Sequence, residues 1–448
     1  MKKIKNIITG ILAAAVLVAG FASCERTDYP DRFRPTDGVP TVYGVRYAET
    51  GIQTDKAFME DVVCILGENL TSVNRLFFND QEAVLNTSFI TATTLIVSVP
   101  KTMPVENTDK IYLFNKAGES VEFPFQVLPP VPRVNTISFE FAQAGDEVSI
   151  AGNYFYENDS EPIKVEFAGA EVPHDKITIV SLSEMKVIVP EGAQEGKVKV
   201  TTPSGTGQSG FVFRDSRGLL FDFDGTNGLY TANHGWHEAP LAEGGLNGSM
   251  CLMLDGSGET FSADGGDWHD GKCHFEYWAG NWQDPETYGT WDGRRLCDII
   301  DFSDFGNMTL KFEVNIDPAH AWTGCPMQII FSDVTLVSNG NAGVKDIYGN
   351  TLAGCNNTYF NDAGISLPRY LWRPWAATGS FDTGGKWQTV SFPISAFTMF
   401  WNGTAATGTL TPDSFANLEL FFAGGSTSEG APCSPVVKID NIRVVPNK

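Results

Sequence analysis

Three large rings, Tyr370, Trp372 and Trp375, fall within six positions of the stretch SLPRYLWRPWAATG and alternate with Arg369, Arg373, Pro368 and Pro374. Rings beside prolines and charges sit badly in an ordinary buried strand, but they suit carbohydrate chemistry. A pyranose in a β-linked glucan offers a broad apolar face of C–H groups with hydroxyls around its edge. An indole matches that face, and neighbouring Arg, Asp, Asn or Gln side chains can hydrogen-bond the edge. Stacking buries about 40 to 80 Å² per ring, which at about 25 cal/mol/Å² contributes about 1 to 2 kcal/mol. Three such rings reach only about millimolar affinity, so the polar groups between them must supply the rest.

All ten tryptophans lie after Arg214, as do five of the six histidines. Trp322 in AHAWTGCP stands on a loop before an apolar strand and joins Trp372, Trp375, Tyr370 and Arg373 in the expected platform. One of the pair Trp372 and Trp375 could instead plug the space between two sheets. Trp278 and Trp282 in FEYWAGNWQD and Trp291 in YGTWDG have loop-like Gly and Asn neighbours and are read as further contacts or as core. Trp387 heads an apolar-alternating strand and reads as core, whereas Trp401 fits either role. Asp267, Asp270, Glu276, Asp284 and Glu286 surround the tryptophans, and a glycosidase needs two carboxylates about 5 to 10 Å apart, but no glycosidase motif is present. HGWHE and HDGKCH gather histidines and Cys273 without the spacing of a closed zinc site. The expected protein is therefore a binder and not an enzyme, with no required cofactor.

The elements that carry this region begin far upstream. Lys2, Lys3 and Lys5 precede an apolar run from Ile7 to Phe21, and small residues lead to Cys24. This is a secretory leader of residues 1–23, its core short of the roughly 20 residues that span a bilayer. GFASC resembles the lipobox of bacterial lipoproteins, which implies lipidation of Cys24, a flexible polar tether over 24–38, and attachment to a membrane without crossing it. Loss of the leader takes three Lys and no acid with it and moves the formal charge from -23 to -26. With no basic cluster to displace counterions, nucleic acid and other polyanions are excluded as partners. The seven remaining cysteines, an odd number without tight spacing, form no disulfide framework and read as core residues.

Before Arg214 the chain repeats itself. VVCILGENLTSVNRLFFND matches EVSIAGNYFYENDSEPIKVEFAG, and the offset from Gly67 to Gly152 is 85 residues. Each copy reads as short alternating strands broken by Gly, Pro and Asn turns, the pattern of an antiparallel sandwich. Their motif order resembles the IPT/TIG immunoglobulin-like module, which places one domain at 39–128 and a second at 131–214, joined by the stiff VLPPVPR stretch. They read as spacers. Residues 215–448 form one all-β block, opened by LLFDFDG and closed by VKIDNIRVV, two strands expected to pair in a jelly-roll-like sandwich.

With DIYGNTLAGCNNTYF, LWRPWAATGSFDTGGKWQTVSFPIS and VVKIDNIRVVP, the whole chain resembles the surface glycan-binding lipoproteins of Bacteroidetes polysaccharide-utilisation loci, in particular the type whose C-terminal domain binds xyloglucan. The resemblance implies an outer-membrane, surface-exposed lipoprotein that binds a neutral plant-type polysaccharide, xyloglucan or a related β-glucan, and presents it for degradation and import. Its implied partners are a SusC/SusD-like importer and surface glycosidases. Jelly-roll carbohydrate-binding modules often hold a structural calcium between first and last strands, and Asp222, Asp224 and Asp440 carry the right hard ligands for one. A protein-binding adhesin and a glycoside hydrolase are the rival classes.

Overall fold

The computed structural model describes residues 35–227, 229, 240–265, 272–277, 295–332, 367–425 and 429–447. The leader, Cys24 and most of the tether, and Trp278, Trp282 and Trp291 lie outside them. The described chain is all-β: its sheets are antiparallel with one two-stranded parallel exception, and its helices are 3-10 turns of three or four residues.

Residues up to Val131 form one compact unit with its own core of Val45, Ile65, Leu76, Phe78, Leu95 and Leu113. One four-stranded sheet runs in the order Gln53–Thr54, Thr41–Tyr47, Val62–Glu68, Thr94–Ser98; the other runs Gln81–Glu82, Val73–Phe78, Lys110–Asn115, Ser120–Pro124. Residues from Pro132 form a second compact unit. Its first module repeats the arrangement, with sheets in the order Arg133–Ile137, Glu147–Asn153, Glu184–Ile188, Ile177–Ser181 and Ala170–Glu171, Lys164–Ala168, Gln194–Thr202, Gly205–Gln208. The repeated glycines have one structural cause. In both modules the first strand bulges as it crosses the second, and a side chain at Gly67 or Gly152 would collide with the carbonyl oxygen of Thr41 or Arg133. Only glycine allows so close a backbone approach.

The C-terminal domain is a sandwich of two sheets. The larger runs Leu241–Glu243, Met250–Asp255, Val436–Pro446, Met308–Ile316, Gln388–Pro393, and Leu219–Phe221 also pairs with Val436–Pro446. First and last strands therefore do pair, Leu219 opposite Arg443 and Phe221 opposite Ile442. The smaller sheet runs His274–Tyr277, Asn417–Phe422, Met327–Ser332, Arg369–Trp372. Between them lies a ring-rich core that includes Phe221, Phe275, Phe312, Phe331, Leu420 and Phe422.

The second module is docked on the larger sheet through buried charges. Glu140, in the loop between the module's first two strands, accepts from Lys311 Nζ at 2.5 Å and from Arg443 Nη2 at 2.8 Å. Arg443 also donates to both carboxylate oxygens of Glu313, at 2.7 and 3.0 Å. Thr389 closes the group: its hydroxyl donates to Glu313 at 2.9 Å and accepts from the Glu140 backbone N–H at 2.7 Å. Burial pushes the Glu313 carboxyl up, against the pull of the Arg443 guanidinium. Two acids and two bases balance, and removing one partner of a buried group costs about 3 to 5 kcal/mol because the others keep their charge without compensation. Glu140→Gln is thus expected to lower the calorimetric transition of the 132–448 unit by an amount of that size and to leave that of the first unit in place. An unchanged transition would show that the cluster holds nothing together.

Candidate functional site

The rings expected to form an exposed platform are in the core. Trp322 is 0% exposed, Trp375 1% and Trp372 7%. Trp322 stands edge-on to Trp372 and Phe422, both at 5.0 Å, and its indole N–H is shared by the carbonyls of Gly324 and Cys325 at 2.8 and 2.7 Å. Trp372 packs on Phe312 and Phe392. Trp375, on the Pro374–Ala377 turn, is closed over by Gly430, where a β-carbon would come within 3.0 Å of the indole. Both Trp372 and Trp375 therefore take the plug role, and the platform is corrected: none of the three faces is open to a sugar. Tyr370 is half-buried at the rim of the same core against Phe392 and Phe397, and Arg373 is half-buried as the residue preceding the Pro374–Ala377 turn. Trp387, read as core, is half-exposed instead at the head of an outer strand. Trp278, Trp282 and Trp291 lie outside the described residues.

The acids named for a structural calcium, Asp222, Asp224 and Asp440, all bond to backbone N–H groups. Among the described residues no group of three or more His, Cys, Asp or Glu side chains could hold a metal ion. Asp222 Oδ1 accepts from the backbone N–H groups of Asp224, Gly225 and Thr226, and Asp224 Oδ1 accepts from Met250 N–H. Asp440 accepts from the N–H groups of Leu246 at 2.8 Å and Asn441 at 2.8 Å, and burial pushes its carboxyl up to about 7. These acids fasten loops to strands. Burial likewise pushes the Cys273 thiol up to about 12, in keeping with its place in the core.

A different face gathers polar groups. Strand pleating sends alternate residues of the smaller sheet outward, and there they form rungs: His274, Phe421, Gln328, Leu371 along one and Glu276, Glu419, Ile330, Arg369 along the next, followed by Asn417 beside Ser332. All ten are buried. Arg369 donates to Gln328 Oε1 at 2.9 Å, and Gln328 Nε2 donates to the carbonyls of Ala423 at 2.7 Å and Trp401 at 3.1 Å. Asn417 donates to Ser332, whose hydroxyl lies 3.3 Å from Glu419. Ile330, Leu367, Phe421 and Ala423 form a small apolar island amid these groups, separate from the main core.

Trp401 borders this face. Met399 exchanges backbone hydrogen bonds with Arg369 on the sheet's outer strand, and the turn that follows brings Phe400 over the Arg369 guanidinium at 5.4 Å and Trp401 beside it, half-exposed. Gly424, at φ 71°, makes room: a β-carbon there would lie 3.3 Å from the Trp401 ring. Trp401 is thus a half-exposed indole at the edge of a buried polar ladder. Glu276 and Glu419 are direct cross-strand neighbours. His274 stands 4.0 Å from Glu276 and Ser332 engages Glu419, so both acids serve the polar ladder. Sequence reading missed this face because it took the strand after Trp322 simply as apolar; the signal lay in Gln328 there and in Asn417 and Glu419 at alternate positions of NLELFF.

Residues 213–446 match the family model described as the surface glycan-binding protein B xyloglucan binding domain. The chain belongs to this family. Over 92% of its length it is similar to 99% of the crystal structure of surface glycan-binding protein PbSGBP-B from Prevotella bryantii, at 38% identity and a TM-score of 0.72. It is also 26% identical, over 171 residues covering 35% of this chain, to an IPT/TIG domain-containing protein of Bacteroides ovatus. The match spans about a third, 33%, of that curated relative's length. No helix among the described residues is long and apolar enough to cross a membrane.

The Asp440 carboxyl supplies a pH test. Its folded value, about 7, lies above the ordinary 3.8, so the folded state holds a proton that the unfolded state releases between those values. The stability it contributes is complete below about pH 4 and is lost as pH rises through 7. Asp440→Asn should flatten the fall in stability between pH 5 and pH 8 by on the order of 2 kcal/mol. Equal slopes in variant and parent would show that this carboxyl titrates normally.

Proposed function

We propose that the chain is a surface lipoprotein, anchored through Cys24, that captures xyloglucan or a related neutral β-glucan on its C-terminal domain. It presents the polymer to surface glycosidases and a SusC/SusD-like importer without cleaving it. The observation that carries this reading is the family match over 213–446, which takes in nearly all of the C-terminal sandwich. The half-exposed Trp401 at the edge of the buried polar ladder offers one ring, and the strongly acidic chain disfavours anionic polymers. Trp278, Trp282 and Trp291 remain the rings proposed to stack the sugar together with Trp401. The relative from Prevotella bryantii is named as a glycan-binding protein, which supports binding over hydrolysis.

Affinity gels with neutral polysaccharides, followed by a reducing-end assay of the same mixtures, test the proposal: retardation by xyloglucan without new reducing ends is expected. Trp401→Ala should weaken binding 5- to 30-fold, the equivalent of about 1 to 2 kcal/mol, with its melting temperature nearly kept. Trp322→Ala should instead cost about 3 to 5 kcal/mol of stability. Parent-like affinity of the Trp401 variant would remove that ring from the site, and new reducing ends would make the protein a hydrolase. Cys24→Ala should release the protein from the outer membrane with its solution affinity intact; a variant still sedimenting with membranes would refute the lipid anchor.

A further inference from the structure

The first module has an aromatic surface that its fold does not require. In the sheet containing Val73–Phe78 and Lys110–Asn115, the inward residues Leu76, Phe78, Ile111 and Leu113 make the core, and the outward positions should be polar. Instead Phe77, Tyr112 and Phe114 stand there, all half-buried and none packed into the core. Phe77 is directly opposite Tyr112, and the Phe77 and Phe114 rings meet edge-on at 5.8 Å. The second module provides an internal control. Its equivalent sheet presents Lys164, Glu166, Lys199 and Thr201 outward, with Glu166 opposite Lys199 and Lys164 opposite Thr201, and carries no ring on that face.

Ion pairs bracket the rings on both sides. Arg75 makes a two-point bridge to Glu82, at 2.7 and 3.0 Å, and its guanidinium covers Phe77 at 4.7 Å; Lys110 meets Glu122 at 2.5 Å. The aromatic patch is thus electrically neutral on a strongly acidic chain, with exposed donors and acceptors at both edges. That excludes selection of a charged partner and matches an uncharged, hydroxyl-edged chain lying on a flat sheet. Because Arg75 occupies Phe77, the rings left to stack are Tyr112 and Phe114.

We infer that this face is a second glycan-contact site, for a neutral β-glucan chain, built on Tyr112 and Phe114; the inference rests on the glycan-binding reading of the chain. Alone it is weak. A polymer long enough to reach both sites gains through effective concentration, whereas a short oligosaccharide bound at the C-terminal domain gains nothing.

The experiment uses the full chain, polymeric xyloglucan, a short xyloglucan oligosaccharide and two double variants. Tyr112→Ala with Phe114→Ala removes the rings, and Tyr112→Lys with Phe114→Thr installs the residues of the second module's equivalent face, which guards against misfolding of the first. Either folded variant is expected to bind polymer about 3- to 10-fold more weakly than the parent, bind oligosaccharide equally, and sediment as the parent does. Unchanged polymer affinity overturns the inference. So does an equal loss for the oligosaccharide, or a parent dimer that the variants dissolve, which would make the face a contact between copies. A parent that binds neither probe overturns the glycan reading of the whole chain, a result distinct from these.

Discussion

The buried quartet of Glu140, Lys311, Glu313 and Arg443 is the constraint on which the organisation of residues 132–448 depends. Charges placed in a protein interior lose their hydration, and only close mutual pairing compensates them. Here each acid touches a base, and the Thr389 hydroxyl links the two acids. Such a set tolerates little displacement, since sliding the module by one strand spacing would part Glu140 from Lys311 and Arg443 at once. The second immunoglobulin-like module is therefore an integral support of the glycan-binding domain, whatever length it adds.

The same economy of burial explains the distribution of rings. A sandwich of this size needs large side chains between its sheets, and Trp322, Trp372 and Trp375 meet that need with edge-on contacts that fix their orientation. On the other side of the smaller sheet Gln328 and Arg369 hold one another, and the Trp401 turn is tied to them through hydrogen bonds to its backbone.

Much of the fold was legible in the sequence, because its signals are local. The 85-residue offset between Gly67 and Gly152 marks the same strand crossing in two modules, and the LLFDFDG and VKIDNIRVV segments pair as their alternation suggests. The site was less legible. Arg369 and Pro374 beside the tryptophans read as marks of an exposed loop, yet alternation turns Arg369 toward the polar face while Tyr370 and Trp372 turn inward, and Pro374 merely opens a 3-10 turn. Composition reveals that rings are abundant; only the register of pairing reveals which side of a sheet each one faces. The ion-paired joint was invisible for a related reason, its members being separated by up to 303 residues.

The strand Val436–Pro446 pairs with Leu219–Phe221, Met250–Asp255 and Met308–Ile316, so the middle of the larger sheet is made from the last part of the domain to be synthesised. Until that segment emerges, three other strands have no common neighbour, and Arg443 is not there to meet Glu140. The two immunoglobulin-like modules can complete their own cores earlier, but the C-terminal domain must wait for nearly its whole length, a topology dominated by distant pairings that fold slowly. The largest domain therefore stays incomplete for most of its own synthesis, until the strand that joins its sheet is made.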